Sequence, residues 1–225
     1  MKIAVVQHAL RPAPAQDLEA LVIASARAAS GGAEAVFLPN VTAVHDGPLG
    51  DDLFRRTSDD APDTIVVVAH RDSGAGELPE ATETLGAVCV LVGDDAIDPE
   101  LLRGCATRRP GIVVLAPGAE SDLQAQAVLE LAVALSTSLA SVVIVVEADG
   151  AELGEPGHGG SAIVHLGEVL AEAGPGDDLL LADIAVPLGP PEAPAAFPDI
   201  PPVLLQRLGA HRGHKLEVSY PADLD

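Results

Sequence analysis

Apolar residues in this chain fall into short unbroken runs separated by long polar stretches. Residues 2–7, 35–39, 64–69, 88–92, 112–115 and 142–146 carry four or more apolar positions in a row or nearly so. Runs of that length without alternation predict strands buried on both faces of a sheet. Between them the period changes. Leu18, Leu21, Val22, Ser25 and Ala29 recur at helical spacing, with Asp17 placed to open that helix and Gly31-Gly32 to end it. Arg11-Pro12-Ala13-Pro14 ahead of it is expected to be a loop. The order strand, helix, strand predicts a parallel pair with a right-handed crossover. Residues 99–107 predict another helix. So do residues 121–139, which start on Ser-Asp and continue in Ala, Leu and Gln.

The second half of the chain reads differently. Residues 161–166 and 168–173 flank Gly167 as a tight hairpin, and 179–186 form the last strand of the body. Residues 40–63 are irregular and acidic, with one short helix expected near Leu53. Residues 71–84 are a second acidic loop, and 147–160 a glycine-rich one. From 187 to 202 prolines crowd the chain and predict an extended tail, after which 203–208 are either a short helix or an arm. Early β-α-β units followed by a hairpin imply a layered α/β fold with mixed sheets. The expected division is a body over 1–186 and a Pro-rich tail or arm over 187–225.

Composition narrows the function classes. Hydrophobic residues make up 48% of the 225, enough for a substantial core, but aromatics only 2%. The core must therefore be Val, Leu, Ile and Ala, and the aromatic walls common in small-molecule pockets are scarce. Thirty-four acidic against 12 basic residues give a formal net charge of -22. Such a surface repels phosphate backbones and anionic lipid, so neither nucleic acid nor membrane is expected as a partner. No apolar run approaches the roughly 20 residues that span a bilayer, and the N-terminus reads as a strand, so a cytoplasmic protein is expected. Two cysteines are too few for a disulfide framework, and Cys89, inside an apolar strand, is expected to behave as a small hydrophobe.

Three blocks, in order, carry a family likeness. The first runs from Lys2-Ile3-Ala4-Val5-Val6-Gln7 to Ala35-Val36-Phe37-Leu38-Pro39-Asn40. The second runs from Thr84-Leu85-Gly86 through Val88-Cys89-Val90-Leu91-Val92-Gly93-Asp94-Asp95 to Pro99-Glu100 and Val113-Val114-Leu115-Ala116-Pro117. The third is Gly159-Gly160-Ser161-Ala162-Ile163-Val164 through Gly167-Glu168 to Leu180-Leu181-Ala182-Asp183-Ile184. In these blocks the chain resembles the nitrilase, or carbon–nitrogen hydrolase, superfamily. The resemblance implies a four-layer αββα sandwich, paired with a second sandwich through its α faces. It also implies a Glu-Lys-Cys triad in which a carboxylate activates a thiol and Lys with a backbone N–H stabilises the oxyanion.

Laid on this chain, the triad is missing. Asn40 stands where the family carries its base, and Gly93 where it carries its nucleophile. The segment that supplies the lysine contains none; the only lysines are Lys2 and Lys215. The expectation is a catalytically degenerate protein that acts by binding or assembly, as a homodimer or as a heteromer with an active homologue. Its small-molecule ligand is not specified, and no cofactor or metal is implied. The alternative is a carbon–nitrogen hydrolase with a rebuilt site around Asn40, His45, His70, Asp94 and Asp95. Adjacent acids at 94 and 95 can hold a metal or act as a base, but more often cap the next helix. His45-Asp46 and His70 with Asp72 can cluster over the sheet edge; as isolated residues they are ordinary surface histidines.

Overall fold

The computed structural model describes residues 1–39, 49–60, 63–69, 85–150, 157–185 and 200–209. One sheet is built from β1 (Lys2–Ala9), β2 (Ala35–Leu38), β3 (Ile65–Val68) and β10 (Asp178–Asp183), with the two-residue β7 (Ala148–Asp149) beside the end of β1. Its order is β10-β1-β2-β3, parallel throughout except for β10, which runs antiparallel to β1. The second sheet contains β4 (Val88–Val92), β5 (Ile112–Ala116), β6 (Val142–Val145), β8 (Ala162–His165) and β9 (Glu168–Glu172) in that spatial order. Its first three strands are parallel and the last two antiparallel. Both sheets are mixed, as the change from β-α-β units to a hairpin predicts.

The alternation of side chains along each strand sorts the core into three clusters. Ile3, Val5, Phe37, Val90, Val114, Ile144 and Ile163 meet between the two sheets. On the outside of the first sheet, Ala4, Val6, Val36 and Leu38 pack against α1 (Pro14–Ser30) and α2 (Leu49–Asp60) through Leu21, Val22, Ala28 and Leu53. On the outside of the second sheet, Leu91, Val113, Leu115, Val143 and Val145 pack against α3 (Pro99–Thr107) and α4 (Asp122–Leu139). The layers run helix, sheet, sheet, helix: the four-layer αββα sandwich.

Several expectations need adjustment. Helix α1 starts at Pro14, with Ala13 as its extended N-cap, rather than at Asp17. Proline is well suited to the first turn, where its missing N–H costs nothing. Asp17 is thereby released for another task, described below. Residues 202–209 form a helix, α5 (Pro202–Gly209), which lies on α4 of its own chain. Ile200, Leu204 and Leu208 join the outer core there, and Arg207 forms a two-pronged pair with Glu130 at 3.1 Å. The rest of the expected tail lies outside the described residues.

Cys89 and Cys105 are joined as a disulfide, with Cα atoms 6.2 Å apart. The expectation that Cys89 is simply a packed hydrophobe is corrected. It is buried as expected, but on the face of β4 that α3 crosses, and the i, i+3, i+4 set Leu102, Cys105 and Ala106 turns the second thiol toward it.

Candidate functional site

The carboxyl ends of β4, β5 and β6 form one edge of the second sheet, the place where parallel α/β sheets commonly carry chemistry. β4 ends at Val92 in an extended conformation. Gly93 then turns with φ +62°, and a short 3-10 turn over Gly93–Ile97 leads to α3. Only glycine takes that backbone region without cost. A Cβ built at Gly93 would meet no atom of the described residues within 4 Å, so the space for a side chain exists and the side chain does not.

Asp94 is exposed and Asp95 half-buried. Neither caps α3. That role belongs to Asp98, whose Oδ1 accepts from the Glu100 N–H at 2.7 Å and the Leu101 N–H at 3.1 Å. The inserted 3-10 turn moves the helix start four residues beyond the two acids, which corrects the expected capping role. Asn40, His45 and His70 lie outside the described residues.

The neighbouring strand ends bring in groups that sequence reading did not select. Val92 pairs with Ala116, Leu115 pairs with Val145, and the Val146 N–H donates to Leu115 O at 2.9 Å. Gly93 and Pro117 follow β4 and β5 directly, and Glu147 lies two residues beyond the end of β6. Glu147 is only 3% exposed. Its Oε1 accepts from the N–H groups of Gly118 at 3.0 Å and Ala119 at 3.3 Å. Among the described residues no cation pairs with it. Burial pushes its carboxyl up to about 8, and the two backbone N–H groups only partly oppose that. At neutral pH it is therefore a carboxylic acid with a proton to give. An acid ending an apolar run, Val142 to Val146, was the available signal.

A polar seam runs from Glu147 across the sandwich. The Ser161 hydroxyl accepts from the Glu147 N–H at 2.9 Å, and the Ser161 N–H donates to Oε1 of Gln7 at 2.9 Å. Gln7 continues the inward-facing row of Ile3 and Val5, and its Nε2 donates to the carbonyls of Gly174 and Gly176. Gly159 is glycine because of this seam: its φ is +67°, and a Cβ there would come within 2.9 Å of the Gln7 amide. The glycine-rich stretch after His158 thus approaches a side chain of the protein itself.

On the opposite face of β1, His8 is buried between two acids. Its Nε2 is 2.6 Å from Oδ1 of Asp17, and its Nδ1 is 3.2 Å from Oδ1 of Asp177. The Arg11 N–H also donates to Asp17 at 2.8 Å, and the Arg11 guanidinium pairs with Asp177. This cluster ties α1, the end of β1 and the turn before β10 together. It borders a groove of about 480 Å³ lined by Ile23, Arg27, Asp178 and Leu179, on the helix side of the first sheet and away from Gly93. Among the described residues no three His, Cys, Asp or Glu side chains are arranged to hold a metal ion, and no helix is long and apolar enough to cross a membrane.

No protein-family model matches the chain, and neither does any curated protein. Solved structures do match. A double mutant of the amidase from Nesterenkonia sp. AN1 in complex with acrylamide superposes with a TM-score of 0.64 at 21% identity, over 82% of this chain and 90% of that one. A single mutant of the same amidase in complex with butyramide gives a TM-score of 0.63 at 22% identity, with the same coverage. A further mutant, described as from the nitrilase superfamily, gives 0.62 at 19% identity over 84% of this chain and 93% of that one. In another, the acetamide moiety of fluoroacetamide is added covalently at the active-site cysteine. At these identities the likeness is one of fold: the chain has the fold of nitrilase-superfamily amidases.

Proposed function

We propose that this chain is a catalytically degenerate member of the nitrilase superfamily, acting by binding or by assembly with an active homologue. The observation that carries the reading is Gly93. It occupies the strand-to-helix turn with a left-handed backbone and no side chain, where the resemblance calls for a thiol. Both cysteines are held in a disulfide between β4 and α3 and are buried, so neither offers a thiolate. The described residues contain one lysine, Lys2, and it reaches the Gly31 carbonyl.

The test is ammonia release from a panel of amides, nitriles and carbamoyl compounds, with Cys89→Ser/Cys105→Ser protein alongside. No release from either protein is expected. Release lost in the double variant would make a cysteine the nucleophile and overturn the reading. Assembly is checked by sedimentation at micromolar concentration, where a monomer that also fails to bind a homologue would exclude that mode of action. Exposed Ile23, Leu123 and Val203 on α1, α4 and α5 support it, being large apolar groups on the helical layers.

One observation favours the second reading, a carbon–nitrogen hydrolase with a rebuilt site. Glu147 follows β6 at the end of the sheet where Gly93 follows β4, and it exchanges its proton close to neutrality, a property that suits a general acid. Release that survives the double cysteine variant but disappears in Glu147→Gln would establish it. Alanine at Asn40, His45, His70, Asp94 and Asp95 would then map the remaining groups.

A further inference from the structure

Among the described residues β4 is the end strand of its sheet, paired with β5 on one side. With the 3-10 turn and α3 it forms an edge unit. That unit is attached through the β5 ladder, through Val88, Cys89, Val90 and Leu91, which bury both faces of β4, through Ala96 in the turn, and through Leu102, Cys105 and Ala106 of α3. The Cys89–Cys105 bond lies within this unit. The two residues are 16 apart in sequence, and the ring they close encloses all of Gly93–Ile97 and the Asp98 cap. Their Cα separation of 6.2 Å lies within the span disulfides bridge. The chain has no third cysteine, so the bond has no internal partner with which to exchange.

We propose that the Cys89–Cys105 pair is a redox-operated clasp that sets the mobility of the turn after β4. As a disulfide it ties the strand to the last turn of α3 and denies the turn between them most of its alternative conformations. As a dithiol it leaves that turn without this covalent closure, held by noncovalent contacts that include the β5 ladder, the buried Ala96 and the packing of α3. Opening uses a thiol reductant of the glutathione class. One reductant thiolate attacks a protein sulfur, forming a mixed disulfide and releasing the other cysteine, which takes up a proton. A second reductant thiolate displaces the first from the mixed disulfide. The protein gains two electrons and two protons, and the reductant leaves as its own disulfide. Cys105 is the sulfur reached first: it is 5% exposed against 1% for Cys89, and it lies in the last turn of its helix, where helices fray. The clasp does not depend on whether the chain is an enzyme, since it concerns the turn itself.

The experiment is peptide-resolved hydrogen exchange on the whole chain, equilibrated with oxidised or with reduced glutathione, with thiols counted by alkylation under denaturing conditions. The oxidised sample should show no free thiol and the reduced sample two. On reduction, the amides of residues 93–98 should exchange about tenfold faster or more, while those of β6 and α4 keep their rates. Re-oxidation should restore the slow rate. Cys89→Ala/Cys105→Ala protein should exchange at the fast rate in both buffers; Cys105→Ser supplies the same comparison if the double variant does not fold. Two free thiols in oxidised glutathione, or equal exchange at 93–98 in both redox states of the wild-type chain, would overturn the proposal.

Discussion

Replacing Glu147 by Gln removes one ionisable proton and little else. Gln keeps an oxygen able to accept from the Gly118 and Ala119 N–H groups, and it nearly matches the side chain in volume. The wild-type carboxyl titrates at about 8 in the fold against an ordinary 4.5. Below pH 4.5 folded and unfolded chains both hold the proton, and the group costs nothing. Between 4.5 and 8 the unfolded chain loses its proton while the folded chain keeps it, so native stability falls as pH rises and levels off above 8. Each pH unit in that window is worth about 1.4 kcal/mol, so the span of about 2.5 units up to pH 7 amounts to roughly 3 kcal/mol. The amide of the variant does not titrate and contributes no such slope. The assay is urea unfolding of both proteins from pH 4.5 to 8.5, plotted as the difference between them. That difference should grow in favour of Glu147→Gln by about 3 kcal/mol between pH 4.5 and 7, equivalent to roughly 6–12 °C in Tm for a chain of this size. Parallel curves would mean that the carboxyl titrates normally. A difference that grows toward acid instead would mean that the fold holds Glu147 ionised. Either outcome would refute the argument from burial.

The remaining predictions concern the seam, the buried pair, the C-terminal helix and position 93. Gln7→Leu should lower stability by about 2–4 kcal/mol in denaturant unfolding, because the buried Ser161 N–H loses its acceptor and two glycine carbonyls lose their donor. His8→Ala leaves the fully buried Asp17 carboxylate without its imidazole partner, and should cost about 3–5 kcal/mol; a loss under about 1 kcal/mol would show that the pair is not structural. Leu204→Ala should cost about 2–5 kcal/mol by calorimetry and speed hydrogen exchange across α5, since Leu204 is 4% exposed against α4. Gly93→Cys should fold with a penalty of about 1–2 kcal/mol for its left-handed backbone and, on the proposal that the chain is catalytically degenerate, should release no ammonia from short amides.

Much of the architecture follows from one-dimensional pattern. Unbroken apolar runs such as 112–115 and 142–146 can be satisfied only with cover on both faces, and that requirement alone places them in the interior strands of a two-sided sheet. Helical spacing in 121–139, with Ser121 accepting from the Gln124 N–H, located α4, and Gly167 located the β8–β9 hairpin. That position 93 is a glycine is plain from the sequence, and the structure adds its left-handed turn. What tertiary structure alone decided is which polar groups meet. Gln7 and Ser161 are 154 positions apart, Gln124 and Leu208 are 84 apart, and Cys89 and Cys105 come from a strand and a helix with different periods. Glu147 reads as one more acid in a chain of 34 until burial strips its water and leaves only two backbone N–H groups to replace it. Periodicity records which face of an element is apolar. Hydrogen bonds, disulfides and raised carboxyls depend on distances across the fold, and those arise only when the layers close on one another.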